Sequence, residues 1–262
     1  MTGELAPMRD QVYKDPRPKE YFDRFHERVR AGEPDSMYEL VRMVVTPICQ
    51  FAYRGRCISS EKVPGAGPVI LTPNHFSFWD HFFVGAFIRR RVHFMAKSQL
   101  FKPPMQFVYT HGGVFPVRRG HHDEETFITS KAILDRGGTI VMYPEGGRSR
   151  TGKLSERAKP GIGRLALETG APIVPVAIYG SSKVRNWKRL QLPKVTVQYG
   201  DAFCYEQVDS PTREQQQAVA NEIFDDVRRL YAGLERLGRR GMIQRIREQR
   251  RAEGRSGRTA TA

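Results

Sequence analysis

Six short apolar runs, at 69–72, 92–96, 114–117, 139–143, 173–178 and 195–199, recur through the middle of the chain. Their length and their share of β-branched residues read as strands. The amphipathic stretches between them, 81–90, 99–109, 123–135 and 161–169, carry apolar residues at helical spacing. A strand that is apolar on both faces must be covered on both faces. Strands alternating with helices therefore predict an α/β fold, a mixed, largely buried β-sheet flanked by helices. At 262 residues the chain is long enough to bury a sizeable core.

Ahead of this region an N-terminal helical pair is expected at 21–33 and 36–53, broken by Gly32-Glu33-Pro34. Asp35 or Ser36 suits the cap of the second helix, and Pro47 is expected to kink it. That helix carries Met37, Leu40, Val41, Val44, Val45, Ile48, Phe51 and Ala52 as an apolar stripe. The stripe fits either a helix packed on the protein's own core or one lying in a bilayer surface. A further helix is expected at 212–237, and beyond Gly238 the composition changes. Residues 239–258 hold eight arginines and two glutamates, which reads as a disordered tail or a surface helix, free to touch anionic headgroups or simply solvated. The expected organisation is a polar segment at 1–20, the helical pair at 21–56, the main domain at 57–238 and the arginine-rich tail at 239–262.

A net charge of +15 points to an anionic partner: nucleic acid, an anionic membrane surface or a phosphorylated small molecule. No recognition helix or aromatic-studded RNA-binding strand accompanies the charge, so no nucleic acid is expected. The three cysteines, Cys49, Cys57 and Cys204, are widely spaced and form no Cys-x-x-Cys pair, which suits a reducing, cytoplasmic setting. Residues 1–19 lack the apolar core of a signal peptide, and no apolar run reaches transmembrane length. A soluble or peripheral protein is expected. The His121-His122-Asp123-Glu124-Glu125 run is not expected to bind metal, since adjacent histidines point apart and the acids suit a helix's first turn. Gly161-Ile-Gly163-Arg-Leu-Ala166 matches a dinucleotide fingerprint only formally, with no strand directly before it.

Chemistry concentrates after the strands. His75 and Asp80 lie five positions apart just past the 69–72 run. An imidazole there can accept a proton near neutral pH, and a carboxylate can orient it and stabilise the imidazolium. The plainer alternative is a helix-capping His75 and an Asp80 paired with an arginine. The 114–117 run ends in Arg118, and the 139–143 run leads into Pro144-Glu145-Gly146-Gly147-Arg148-Ser149. Arginine's planar fork suits phosphate, and Gly146 and Gly147 let backbone N–H groups approach an anion. Ligands on open α/β sheets bind beyond the strands' carboxyl ends, so these segments are expected to converge on one cleft.

Asn74-His75-x4-Asp80, Gly113-x-x-x-x-Arg118, Pro144-Glu145-Gly146-x-Arg148-Ser149 and the 171–176 segment, in that order, resemble the four blocks of the glycerolipid acyltransferases, in particular the bacterial 1-acylglycerol-3-phosphate acyltransferases. The resemblance covers about residues 67–180. Tyr143, Gly147 and Pro116 depart from the usual Phe, Thr and aliphatic residue. The resemblance implies an O-acyltransferase acting at the cytoplasmic face of a membrane as a peripheral or monotopic protein. It implies His75 as general base on the hydroxyl of a lysophospholipid, lysophosphatidic acid first among them, with Asp80 supporting it. The acyl thioester donor is acyl-CoA or acyl-carrier protein, and no cofactor is implied. Arg118, Glu145, Gly146, Gly147, Arg148 and, as a further candidate, Lys159 would hold the acceptor's phosphate. Another lysophospholipid, a glycolipid or an amino lipid remains open as acceptor, and a non-catalytic lipid-binding relative remains open as a class.

Overall fold

The computed structural model describes residue 5 and residues 15–119, 123–184 and 192–259, with side chains to residue 252. His121 and His122 lie outside the described residues. Among the described residues seven strands form one sheet: β1 (Arg56–Ile58), β2 (Val69–Pro73), β3 (His93–Lys97), β4 (Val114–Val117), β5 (Thr139–Val141), β6 (Ile173–Tyr179) and β7 (Thr196–Tyr199). Their order across the sheet is β1-β7-β6-β2-β5-β3-β4. Neighbours run parallel except β6 and β7, which are antiparallel, so the sheet is mixed. The α-helices are α1 (Glu20–Ala31), α2 (Ser36–Pro47), α3 (Asp80–Ala86), α4 (Met105–His111), α5 (Glu124–Asp135), α6 (Gly161–Thr169) and α7 (Arg213–Thr259).

Strand alternation assigns each face its layer. Ile70, Phe115, Ile140 and Ile173 face α1, α5, α6 and α7, meeting Val29, Ile133, Leu165 and Phe224. Val69, Leu71, Val141, Val174 and Val176 face the other way, onto Cys49, Tyr53, Phe83 and Val84. Each such fully buried side chain contributes about 1.5–3 kcal/mol. Gly163, from the formal dinucleotide match, sits where α6 crosses α7, and a Cβ there would lie 1.9 Å from the Gln216 carbonyl oxygen. Its glycine is explained by that close approach.

Several local expectations differ from what is observed. The helix expected over 36–53 ends at Pro47 and continues as one π-helical turn, Ile48–Ala52. Proline has no N–H to give the preceding turn, so the backbone widens there. Asp35 is the cap, accepting from the Met37 N–H at 2.9 Å. The stretch 99–109 is α-helical only from Met105, after Pro103 and Pro104, with Ser98–Leu100 forming a separate 3-10 turn. The arginine-rich segment is helical: α7 breaks at Gly238 (φ 64°) and resumes. Met242, Ile243 and Ile246 then pack against Leu230, Leu234, Ile58 and Ala177. Three apolar residues among the arginines are enough to dock that arm.

Candidate active site

β2 ends at Pro73, and the loop that follows is pinned from both sides. Buried Asn74 pairs with the backbone of Ile178 on β6, accepting from its N–H at 2.7 Å and donating to its carbonyl at 3.2 Å. Asp80 opens α3 and is fully buried. Its Oδ2 accepts from the Phe76 N–H at 2.6 Å, the Ser77 N–H at 2.7 Å and His75 Nδ1 at 2.9 Å. Its Oδ1 is buried with no hydrogen-bond partner among the described residues. The carboxylate thus shapes the turn and holds the imidazole in one orientation. With Nδ1–H directed at Asp80, the neutral ring carries its lone pair on Nε2.

The loop after β5 clamps the same histidine. The His75 N–H donates to Glu145 Oε1 at 2.7 Å, and the Ser149 N–H donates to the His75 carbonyl at 2.9 Å. The Tyr143 ring stacks on the imidazole at 3.9 Å between centroids. Burial pushes the His75 pKa below its ordinary value, and the Asp80 carboxylate opposes that shift. The histidine is therefore held as a neutral base.

His75 lines a cavity of about 470 Å³ between the sheet and α2, α3 and α4. Lys97, Arg119, Tyr143 and Arg148 line it too, all at or beyond the carboxyl ends of β3, β4 and β5. Burial and the neighbouring Arg119, Arg148 and Arg150 press the Lys97 pKa down to about 8. Away from this cationic end the wall is mainly apolar, with Val41, Val45, Phe82, Phe94 and Val108. The cavity therefore joins a proton acceptor, an anion-attracting mouth and a chain-sized apolar chamber, within the ~300–1,000 Å³ usual for small-molecule sites.

Not every expected residue reaches this cavity. Alternation from Val114 would carry Arg118 to the cavity side, but β4 ends at Val117. The Arg118 N–H is taken by Asp123 Oδ2 at 2.6 Å, and its guanidinium donates to the Arg17 carbonyl at 3.2 Å, beside the Phe22 ring. The turn hands the cavity wall to Arg119, which the sequence reading missed because two adjacent arginines look alike to a spacing rule. Glu145 is buried and braces the loops, accepting from His75 and, through Oε2, from the Ser155 hydroxyl at 2.9 Å and N–H at 3.2 Å. Gly146 takes φ 67° in the turn closed by its N–H to the Tyr143 carbonyl, with Gly147 after it. Lys159 is exposed, its stem against Gly146 and its N–H on the Pro144 carbonyl. Lys97 was also missed; a lone lysine ending a strand carries no signal of its own. Among the described residues no cluster of three or more His, Cys, Asp or Glu side chains could hold a metal ion.

Residues 54–179 match the Acyltransferase family. The chain is similar to the chloroplastic 1-acyl-sn-glycerol-3-phosphate acyltransferase of Brassica napus, 27% identical over 128 residues, which is 47% of this chain and 37% of that protein. It is similar to the 1-acyl-sn-glycerol-3-phosphate acyltransferase of Borreliella burgdorferi, 32% identical over 127 residues, covering 47% of this chain and 50% of that one. The chain thus spans half or less of the length of these curated relatives. The crystal structure of the 1-acyl-sn-glycerophosphate acyltransferase PlsC from Thermotoga maritima shares the fold, with a TM-score of 0.56 at 22% identity over 80% of this chain and 88% of that one. The Acyltransferase match over residues 54–179 takes in both His75 and Asp80.

Proposed function

We propose that this protein moves a fatty acyl group from acyl-CoA or acyl-carrier protein to the free hydroxyl of lysophosphatidic acid, giving phosphatidic acid. The observation that carries this reading is the place of His75: paired to a buried Asp80, between a cationic mouth and an apolar chamber. The names of the curated relatives, each a 1-acyl-sn-glycerol-3-phosphate acyltransferase, support the same acceptor. His75 Nε2 takes the hydroxyl proton as the oxygen attacks the thioester carbonyl carbon. The tetrahedral adduct collapses, the C–S bond breaks, and the departing thiolate receives that proton from the imidazolium. Asp80 stabilises the imidazolium in between. Arg119, Arg148 and Lys97 hold the acceptor's phosphate, and the apolar chamber takes the acyl chain.

We infer that the reaction takes place at an anionic membrane surface. Leu40, Met43, Val44, Ile48 and Phe51 on α2 and its π-turn, with Leu100, Met105 and Phe107 around α4, expose large apolar side chains to solvent. α2 and α4 are packed neighbours that both line the cavity, which supports docking at a bilayer interface close to where lipid must enter. No helix among the described residues is long and apolar enough to cross a membrane.

The test is product analysis by mass spectrometry after incubation with palmitoyl-CoA and lysophosphatidic acid in anionic vesicles. Phosphatidic acid and free CoA are expected, and His75→Ala should lower kcat by at least ~10²-fold in folded protein. Near-normal turnover by that variant overturns the mechanism.

A further inference from the structure

One polar side chain on the cavity wall serves neither the proton transfer nor the cationic mouth. His81 directly follows Asp80 on α3 and lines the cavity. Its ring lies among aromatic rings, with centroids 4.0 Å from Phe82, 4.9 Å from Phe78 and 5.8 Å from Phe94. Phe94 precedes Lys97 by three residues on β3, about 10 Å along the strand. The His81 ring therefore borders the aromatic wall of the chamber assigned to the acyl chain, within electrostatic reach of His75 and Arg148. Burial, reinforced by His75 and Arg148, holds its pKa at about 3, so the ring is neutral. A neutral imidazole offers one N–H donor and one lone-pair acceptor. None of the hydrogen bonds among the described residues uses either ring nitrogen. The Thr46 hydroxyl, on α2 and lining the same cavity, is buried with no hydrogen-bond partner among the described residues.

An unsubstituted chain filling this space would displace water from the ring and return nothing to its nitrogens. Leaving a desolvated donor or acceptor unmatched costs on the order of tenfold or more in transition-state binding. A hydroxyl on the chain would restore the match, donating to one nitrogen or accepting from the other.

We propose that His81 selects acyl donors that carry a hydroxyl on the chain, by exchanging a hydrogen bond with that hydroxyl inside the cavity. This rests on the acyl-transfer reading given above. The experiment measures kcat/KM for palmitoyl-CoA against palmitoyl-CoAs hydroxylated singly near the thioester, at mid-chain and near the methyl end, with lysophosphatidic acid as acceptor. The wild type should favour one hydroxylated donor by about tenfold or more over palmitoyl-CoA. His81→Phe should abolish or invert that ratio, and His81→Gln, which keeps a donor and an acceptor, should restore part of it. A wild type with no hydroxyl preference, or a preference that survives in His81→Phe, overturns the assignment. Transfer of the palmitoyl group without preference sinks only the selectivity, whereas no transfer from any donor sinks both readings.

Discussion

Replacing Asp80 with asparagine separates charge from shape at the paired histidine. An asparagine oxygen placed where Oδ2 lies still accepts from Phe76, Ser77 and His75, so the turn is kept. Its amide nitrogen takes the place of Oδ1, which has no partner among the described residues, and a buried unpaired donor there costs about 1–3 kcal/mol of stability. The catalytic loss comes from the imidazolium. Two unit charges at roughly 4 Å attract by about 4 kcal/mol at an effective dielectric near 20. A neutral hydrogen bond recovers about 1 kcal/mol of that. The remaining ~3 kcal/mol corresponds to a kcat lower by roughly 10²–10³-fold. Asp80 also opposes the downward shift of the His75 pKa. Without its charge that pKa falls further, so the acid limb of the kcat/KM profile moves to lower pH while the plateau drops. The assay follows free CoA thiol from pH 4 to 9 in vesicles, about the span in which a histidine titrates. A loss under ~10-fold in folded protein, or an acid limb that does not move, refutes the electrostatic role.

Arg119→Ala should raise the acceptor KM by roughly tenfold or more, as loss of a charge-assisted contact does, while Arg118→Ala should change it by less than about threefold. The reverse order would contradict the placement of the two side chains. Gly85 lines the chamber, and a Cβ there sits 3.5 Å from the Tyr38 hydroxyl and 3.7 Å from Phe94, so Gly85→Leu should project into it and shift the preferred donor to shorter chains. An unchanged optimum in a donor-length series would show that the chain lies elsewhere. His26 is buried against Thr129 Oγ1 at 2.8 Å, and burial holds its pKa at about 4 against an ordinary 6.5. The unfolded chain binds the extra proton between those values, so stability that is complete above pH ~6.5 is lost as pH falls towards ~4, by at most about 1.4 kcal/mol per unit. Thermal melts of His26→Phe should show a flatter slope across that window, and a slope equal to wild type would refute the contribution.

The layered sheet was legible because strands covered on both sides leave continuous apolar runs, as in 173–178. β1 escaped notice because three residues, Arg56–Ile58, are too few to show a period. The α2 stripe was legible as apolar but not as two-sided: Val41 and Val45 line the cavity while Leu40, Val44 and Phe51 face outward. Helical spacing records that residues are apolar, not which neighbour meets them. The His75–Asp80 pairing could be read because both residues lie in one short turn. Glu145 could not be read as a brace, because its partners, a backbone N–H 70 residues earlier and Ser155, leave no mark in local spacing.

The clamp that Glu145 and Ser149 place on the His75 backbone has a consequence for regiochemistry. It ties the proton acceptor and Arg148 into one stiff piece of the protein, joined by two backbone anchors and a stacked ring. The span from base to cation is then a fixed gauge set by the fold and not by the lipid. An acceptor whose hydroxyl stands a different number of bonds from its phosphate can satisfy one end of that gauge but not both.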